Sequence, residues 1–280
     1  MHESTISNGD FLKFREFFYR KTGIIFSDSK RYFVDKRLVQ RMKETGHDSF
    51  RSYFSFMRFQ ASGEELQRLT NIMTVNETYF FREEYQFRSL VESMLPEIVK
   101  NKEKGSTIKI WSIPSSSGEE PYSIALYLLE YWSGINNWDV KLVASDIDTE
   151  ILRKAQEGIY SGRSVQNLDS RILRKYFTKL PNGDWRISED LRQSVEFTSV
   201  NLNEPGSTRF YRNFDIIFCR NLLIYFDDLS RRRSAEVFYG ALNPGGFICL
   251  GHSESMSRIS SLFKVRKFPD SIVYQKLEAI

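Results

Sequence analysis

Residues 215–226 read Asp-Ile-Ile-Phe-Cys-Arg-Asn-Leu-Leu-Ile-Tyr-Phe, an apolar run that breaks at once into Arg220 and Asn221, with Tyr225 about one helical turn further on. Open α/β sheets bind small ligands outside the carboxyl ends of their strands, so a strand ending in a cation and an amide is a candidate site. Three similar breaks lie upstream. The loop 112–120, Ser-Ile-Pro-Ser-Ser-Ser-Gly-Glu-Glu, has one glycine where a dinucleotide fingerprint has three. Its Glu119 and Glu120 suit a helix dipole and a cationic ligand but oppose a phosphate. Ser145-Asp146-Ile147-Asp148 offers a carboxylate that can accept both hydroxyl hydrogens of a ribose, although Asp148 also reads as a helix cap. Asn201-Leu202-Asn203 offers a side-chain amide and a backbone N–H to the edge of an adenine. Each break also reads as a cap or loop. Capping alone, however, does not require all four to fall at the ends of consecutive predicted strands.

A fifth polar group precedes them, Asn-Glu-Thr-Tyr-Phe-Phe-Arg-Glu at 76–83. It reads either as the start of an amphipathic helix with Tyr79, Phe80 and Phe81 in the core, or as a linker presenting Asn76, Thr78 and Arg82 to a cleft.

Two textures position these residues. From 10 to about 73 apolar residues recur at helical spacing, as in Phe11, Phe14, Phe17 and Phe18 or Val34, Leu38, Val39 and Met42. Breaks at Thr22-Gly23, Thr45-Gly46 and Ser62-Gly63 read as helix ends followed by glycine, giving a bundle of four or five helices. After Glu97 strands alternate with helices: strands at 107–113, 140–144, 195–199, 214–219 and 247–250, and helices at 119–132 and from 150. That alternation implies a mostly parallel sheet covered on both faces. Residues 263–268 and 272–276 add a hairpin-like return, and the Pro181-Asn182-Gly183-Asp184 turn marks a small β insertion at about 178–191. The expected architecture is α/β: an all-helical domain over 1–75, a linker over 76–96 contributing to a cleft, and a Rossmann-like domain over 97–280 carrying the antiparallel insertion.

Composition limits the function. The 280 residues carry a net charge of +4, mild for a dedicated nucleic-acid binder. No apolar stretch approaches the roughly 20 residues of a membrane span, and residues 1–10 lack a signal segment, so the expected location is the cytoplasm. Cys219 and Cys249 lie in predicted strands and read as buried thiols; His2, His47 and His252 are scattered, so neither zinc chemistry nor a nucleophile–histidine pair is indicated. Residues 11–43 hold ten Lys or Arg against three acids. That run is either a solvated face or a docking surface for an acidic helix.

Together, Asn-Glu-Thr-Tyr-Phe-Phe-Arg-Glu (76–83), Ser-Gly-Glu-Glu-Pro-Tyr-Ser (117–123), Ala-Ser-Asp-Ile-Asp (144–148), Phe-Cys-Arg-Asn-Leu-Leu-Ile-Tyr-Phe (218–226) and Gly-His-Ser-Glu (251–254) resemble the chemotaxis receptor methyltransferases, the CheR family of protein-glutamate O-methyltransferases. The match runs in order from about residue 11 to 275. The resemblance implies a class I S-adenosylmethionine fold, S-adenosylhomocysteine as product, no metal, and as substrate particular glutamates on the cytoplasmic helices of chemoreceptors at membrane receptor arrays. It implies cofactor contacts at Asn76, Thr78, Arg82, Glu120, Asp146, Asn201, Leu202, Arg220 and Asn221, and places Arg82 and Tyr225 beside the reacting methyl. Arg31, Arg37, Arg41 and Lys43 match the basic surface that docks receptor helices. In members that tether to a receptor pentapeptide the β insertion forms the tether site; the insertion here is short, which puts tethering in doubt. A methyltransferase for a small molecule or RNA would share the cofactor site without needing the basic domain. A non-catalytic, cofactor-binding adaptor is the remaining alternative.

Overall fold

In the computed structural model of the protein, residues 6–277 are described. Four helices come first: α1 (Asn8–Thr22), α2 (Arg31–Glu44), α3 (Phe50–Phe59) and α4 (Glu64–Met73). Ser7 and Ser49 cap α1 and α3 by accepting the N–H groups of Asp10 and Ser52. Gly23 ends α1 in the left-handed region, φ +76°, and donates its N–H to the Tyr19 carbonyl. The third glycine break behaves differently from the expectation: α3 already stops before Gln60, and Gly63, φ +69°, opens α4. Gln60 bridges the gap by accepting the Glu65 N–H at 2.7 Å.

The linker follows, and it is not the start of a helix. Phe81 and Glu83 adopt φ of +57° and +56°, values that a right-handed helix excludes. Helical structure resumes with α5 (Tyr85–Ser89), a wider turn at Leu90–Met94, and α6 (Leu95–Asn101). The remaining elements are β1 (Ile108–Ser112), α7 (Glu119–Tyr131), β2 (Val140–Asp146), α8 (Thr149–Glu157), β3 (Ile159–Tyr160), α9 (Ser170–Tyr176), β4 (Phe177–Lys179), β5 (Trp185–Ile187), α10 (Glu189–Gln193), β6 (Val195–Ser199), α11 (Pro205–Thr208), β7 (Phe214–Cys219), α12 (Asp228–Ala241), β8 (Leu242–Leu250), β9 (Phe263–Lys267) and β10 (Ile272–Lys276).

The main sheet has the order β6-β2-β1-β7-β8-β10-β9. Its first five strands are parallel, and β10 runs antiparallel to both neighbours. Strand order reverses between β1 and β7, the switch point where such sheets open a crevice. The expected α/β architecture with an antiparallel insertion is what forms. The small sheet is β3-β5-β4, and its two-residue strand β3, well before 178, was too short to show as alternation in the sequence.

Side-chain alternation along the strands builds two cores. Trp111, Ile217 and Cys219 face α12 and the helical bundle, where they join Phe14, Phe18, Leu38 and Met73 in one cluster. Ile110, Ile216 and Phe218 face the opposite way, with Phe87, Leu90 and Tyr122. Both thiols are buried and free. The bundle therefore shares its core with the sheet.

Arg41 is a correction. The basic run suggested a surface residue, yet Arg41 is 8% exposed and forms a two-bond pair with Glu65 at 2.9 and 2.6 Å, with Glu44 as a further partner. Glu65 also accepts the Tyr53 hydroxyl at 2.7 Å. Its helical face points at α4, so the charge serves the bundle and not a docking partner. Removing one member of a buried ion pair strands the other. Glu65→Ala should cost about 3 to 5 kcal/mol in urea-induced unfolding, whereas exposed Lys43→Ala should stay within about 0.5 kcal/mol.

Candidate functional site

The switch point opens into a cleft of about 500 Å³. Its floor is the carboxyl ends of β1, β2 and β7; one wall is Thr22 to Phe26 with Phe33 and Met73, and the other is the linker from Thr74 to Arg82. Asn76, Thr78, Arg82, Glu120, Asp146, Asn201, Leu202, Arg220, Asn221 and Tyr225 all line it.

Arg220 sits at the centre, 4% exposed. Its Nη1 donates to Glu120 at 3.0 Å, its Nη2 donates to the Arg82 carbonyl and lies 3.3 Å from a Glu83 oxygen, and the Phe87 ring lies 5.4 Å from its guanidinium. Glu120 also accepts the Ser112 hydroxyl at 2.8 Å. Burial pushes the Glu120 carboxyl above its ordinary value, with Arg220 pulling it back. The buried Nε of Arg220 is a donor with no acceptor among the described residues. Arg220 lines the cleft, where its charge suits a ligand carboxylate, and the adjacent Glu120 suits a ligand ammonium.

Asp146 ends β2. One oxygen accepts the Ser116 N–H at 2.8 Å and the other the Asp148 N–H at 3.0 Å, and burial pushes its carboxyl up to about 6. Asp148 has two roles. One oxygen caps α8 through the N–H groups of Glu150 and Ile151, both at 3.0 Å; the other accepts from Thr74 at 2.9 Å and from Asn76 at 2.8 Å. The cap reading was right, and the same carboxylate braces the linker against β2.

The side-chain amides after β6 do something other than the sequence suggested. Asn201 donates to the Lys21 carbonyl at 2.7 Å and accepts the Asn203 N–H at 3.0 Å, while Asn203 donates to the Arg20 carbonyl at 2.8 Å. They satisfy carbonyls at the end of α1, which a helix cannot pair internally. Asn201 and Leu202 both line the cleft.

At the mouth, Tyr79 is 37% exposed, a correction to its reading as core; Phe80 and Phe81 are buried. The Arg82 guanidinium lies 5.8 Å from the Tyr79 ring and donates to the Glu77 carbonyl at 3.1 Å. Tyr225 belongs to a single 3-10 turn, Leu223–Tyr225, pinned to the bundle because its carbonyl accepts the Ile25 N–H at 3.1 Å. Burial raises the Tyr225 phenol above its ordinary value against the pull of nearby Arg82.

Glu254, the last residue of the Gly-His-Ser-Glu stretch, is a positioning residue. Its carboxylate accepts the N–H groups of Asn221, Leu223 and Gly251 at 2.8, 2.7 and 2.9 Å. It thereby holds Asn221 at φ +60° and sets the turn that carries Tyr225. The available signal was an acid four residues beyond a strand end.

Of the basic residues assigned to docking, Arg31 donates to Ile6, Asn8 and Asp35, and Arg37 lies 3.4 Å over the Phe33 ring while donating to the Ile72 carbonyl. Lys43 is exposed and, with Arg41 buried, these residues do not make one continuous face. Among the described residues no group of three or more His, Cys, Asp or Glu has the arrangement of a metal site.

Comparison with known proteins finds relatives along nearly the whole chain. The family described as CheR methyltransferase, SAM binding domain, matches residues 76–272, and CheR methyltransferase, all-alpha domain, matches residues 9–74. Chemotaxis protein methyltransferase 2 of Vibrio cholerae is 57% identical over 99% of this chain and 96% of its own length. The chemotaxis protein methyltransferases of Salmonella typhimurium and Escherichia coli are 36% and 34% identical, each over 93% of this chain and over 88% and 89% of their own lengths.

Glu254→Gln replaces an acceptor with an amide donor that faces backbone N–H groups. We expect a loss of about 2 kcal/mol by chemical denaturation and faster amide exchange at Asn221, Leu223 and Gly251. Unchanged exchange at those three amides would remove Glu254 from the positioning role.

Proposed function

The chain belongs to the CheR methyltransferase family, and we propose that it transfers the methyl group of S-adenosylmethionine to the side-chain carboxylate of particular glutamates on the cytoplasmic helices of chemoreceptors. The observation that carries this reading is the buried Glu120–Arg220 pair beside Asp146 at the switch point, opening toward Arg82 and Tyr225 at the mouth. The cofactor supplies an electrophilic methyl on a sulfonium.

The residues divide the work by chemistry. Glu120 suits the ammonium of an amino-acid end, Arg220 its carboxylate, and Asp146 the ribose hydroxyls. The Leu202 main chain suits an adenine edge; Asn76 and Thr78 close the linker side, and Asn221 the β7 side. A glutamate side chain, with a reference pKa near 4.3, is already ionised at neutral pH, so it needs no general base. The protein's task is to orient that carboxylate in line with the methyl and to exclude water. Arg82 and Tyr225 are the donors proposed for orientation. Arg82 is only half-buried, which lets it guide the carboxylate without holding it in a dry ion pair that would blunt its nucleophilicity.

No described helix is long and apolar enough to cross a membrane, and the proposed setting is the cytoplasm, with recruitment to receptor arrays through the substrate. The proposed organisation follows the same logic: a helical receptor-docking region over 1–75, a linker over 76–96 that completes the cofactor cleft, and a catalytic region over 97–280.

The direct test incubates the protein with methyl-labelled S-adenosylmethionine and receptor-bearing membranes, then measures methanol released by mild base. Base-labile label on the receptor is expected; cofactor binding without such label would overturn the substrate assignment. Arg82→Ala should lower turnover about a hundredfold with little change in melting temperature, and normal methylation by that variant would exclude Arg82.

Asp146 gives a pH signature. Its folded pKa is raised to about 6, so in the empty protein its contribution favours stability at low pH and is lost as pH rises through that value. Hydroxyl donors favour the ionised form, so cofactor affinity should fall as pH drops below about 6, approaching tenfold per unit. Calorimetric titration should show that slope in the wild type and its absence in Asp146→Asn.

A further inference from the structure

A second recess, of about 380 Å³, lies on the other side of the Leu223–Tyr225 turn from the cleft. It is lined by Arg231 and Arg232 of α12 and by Arg258 of the short turn after β8, with Ser253, Ser255 and the apolar Ile259 between them. Two carboxylates also line it: Asp228 is largely exposed and makes one contact, whereas Glu254 is fully engaged. Asp228 accepts from Arg231 at 3.2 Å, and Glu254 is occupied by the three backbone N–H groups already described. Arg231 is fixed in place, because its Nε donates to the Leu223 carbonyl at 2.9 Å. Arg232 and Arg258 are exposed and pair with no carboxylate among the described residues. The recess thus presents two uncommitted guanidiniums on a framework that is itself tied to the turn carrying Tyr225. Ile224, 46% exposed, lines both cavities and forms the ridge between them.

We propose that this arginine recess is a carboxylate-binding subsite for the methyl-accepting partner. It receives an acidic side chain of the same partner helix whose target glutamate enters the cleft beside Tyr225. Charge complementarity carries the assignment, since a helix that offers a glutamate for methylation is acidic at that surface and the recess supplies the matching cations. The exposed Ile224 gives the apolar contact such a helix makes between its two acidic positions. The subsite rests on the reading of the protein as a receptor glutamate methyltransferase. It adds a determinant of which glutamate is presented, separate from the basic residues of α2.

The test compares wild type with the Arg232→Ala/Arg258→Ala double variant in methyl transfer to a receptor cytoplasmic fragment, with S-adenosylmethionine affinity measured alongside by calorimetry. The expected result is a KM for the fragment raised about tenfold, unchanged cofactor affinity, and a difference that shrinks as salt is raised, because exposed charges are screened within roughly 10 Å at about 0.1 M salt. An unchanged KM, with wild type active, overturns the subsite and leaves the enzymatic reading standing. Wild type that binds cofactor but transfers no base-labile methyl to the fragment overturns the enzymatic reading and the subsite with it. Should the double variant lose cofactor binding through misfolding, Arg232→Gln/Arg258→Gln, which keeps the side-chain volume, is read by the same criteria.

Discussion

A single buried guanidinium holds the cleft together. Arg220 leaves the end of β7 and meets Glu120 from the start of α7, together with Glu83 and the Arg82 carbonyl from the linker. Removing a charge from water costs several kcal/mol unless its partners are well placed. Three chain segments are therefore constrained to arrive together, and the cleft is a by-product of satisfying that charge.

The same economy appears at the other borders of the cleft. Asp148 caps α8 and holds Thr74 and Asn76 with its second oxygen, while Asn201 and Asn203 cap the end of α1 from the sheet side. Each of these groups does local work required by a helix end and long-range work that fixes the bundle against the sheet. Because one hydrophobic cluster runs from Phe14 and Phe18 to Trp111 and Ile217, the bundle is a wall of the site and not an appendage to it.

Much of this was legible in the sequence because it depends on short-range pattern. Apolar runs ending in polar residues located β1, β2, β6 and β7, and the polar residues at their ends do line one cleft. What was not legible depends on which way a residue faces after the chain folds. Arg41 looks like its neighbours in a basic run, and only the approach of α4 turns it into a buried partner of Glu65. Tyr79 shares its aromatic character with Phe80 and Phe81, but the chain there forms neither helix nor strand and leaves its ring partly exposed. Asn201 has the chemistry to read a base, and a carbonyl from α1, 180 residues away in sequence, claims its amide first. Glu254 was invisible as a positioning group because its partners are backbone N–H groups, which carry no residue-type signal.

The hairpin between β4 and β5 stands apart from all of these constraints. Leu180 donates to the Asp184 carbonyl at 2.7 Å to close it, and the Gly183 at its tip, φ +91°, has open space where a side chain would stand. Asn182 and Gly183 are exposed, and no core cluster or cleft residue depends on them. In evolutionary terms the chain is free to lengthen there and rigid at the linker, where residues 74–83 touch both halves of the site. New accessory segments, whatever they bind, have an inexpensive point of entry there, and it lies away from the chemistry.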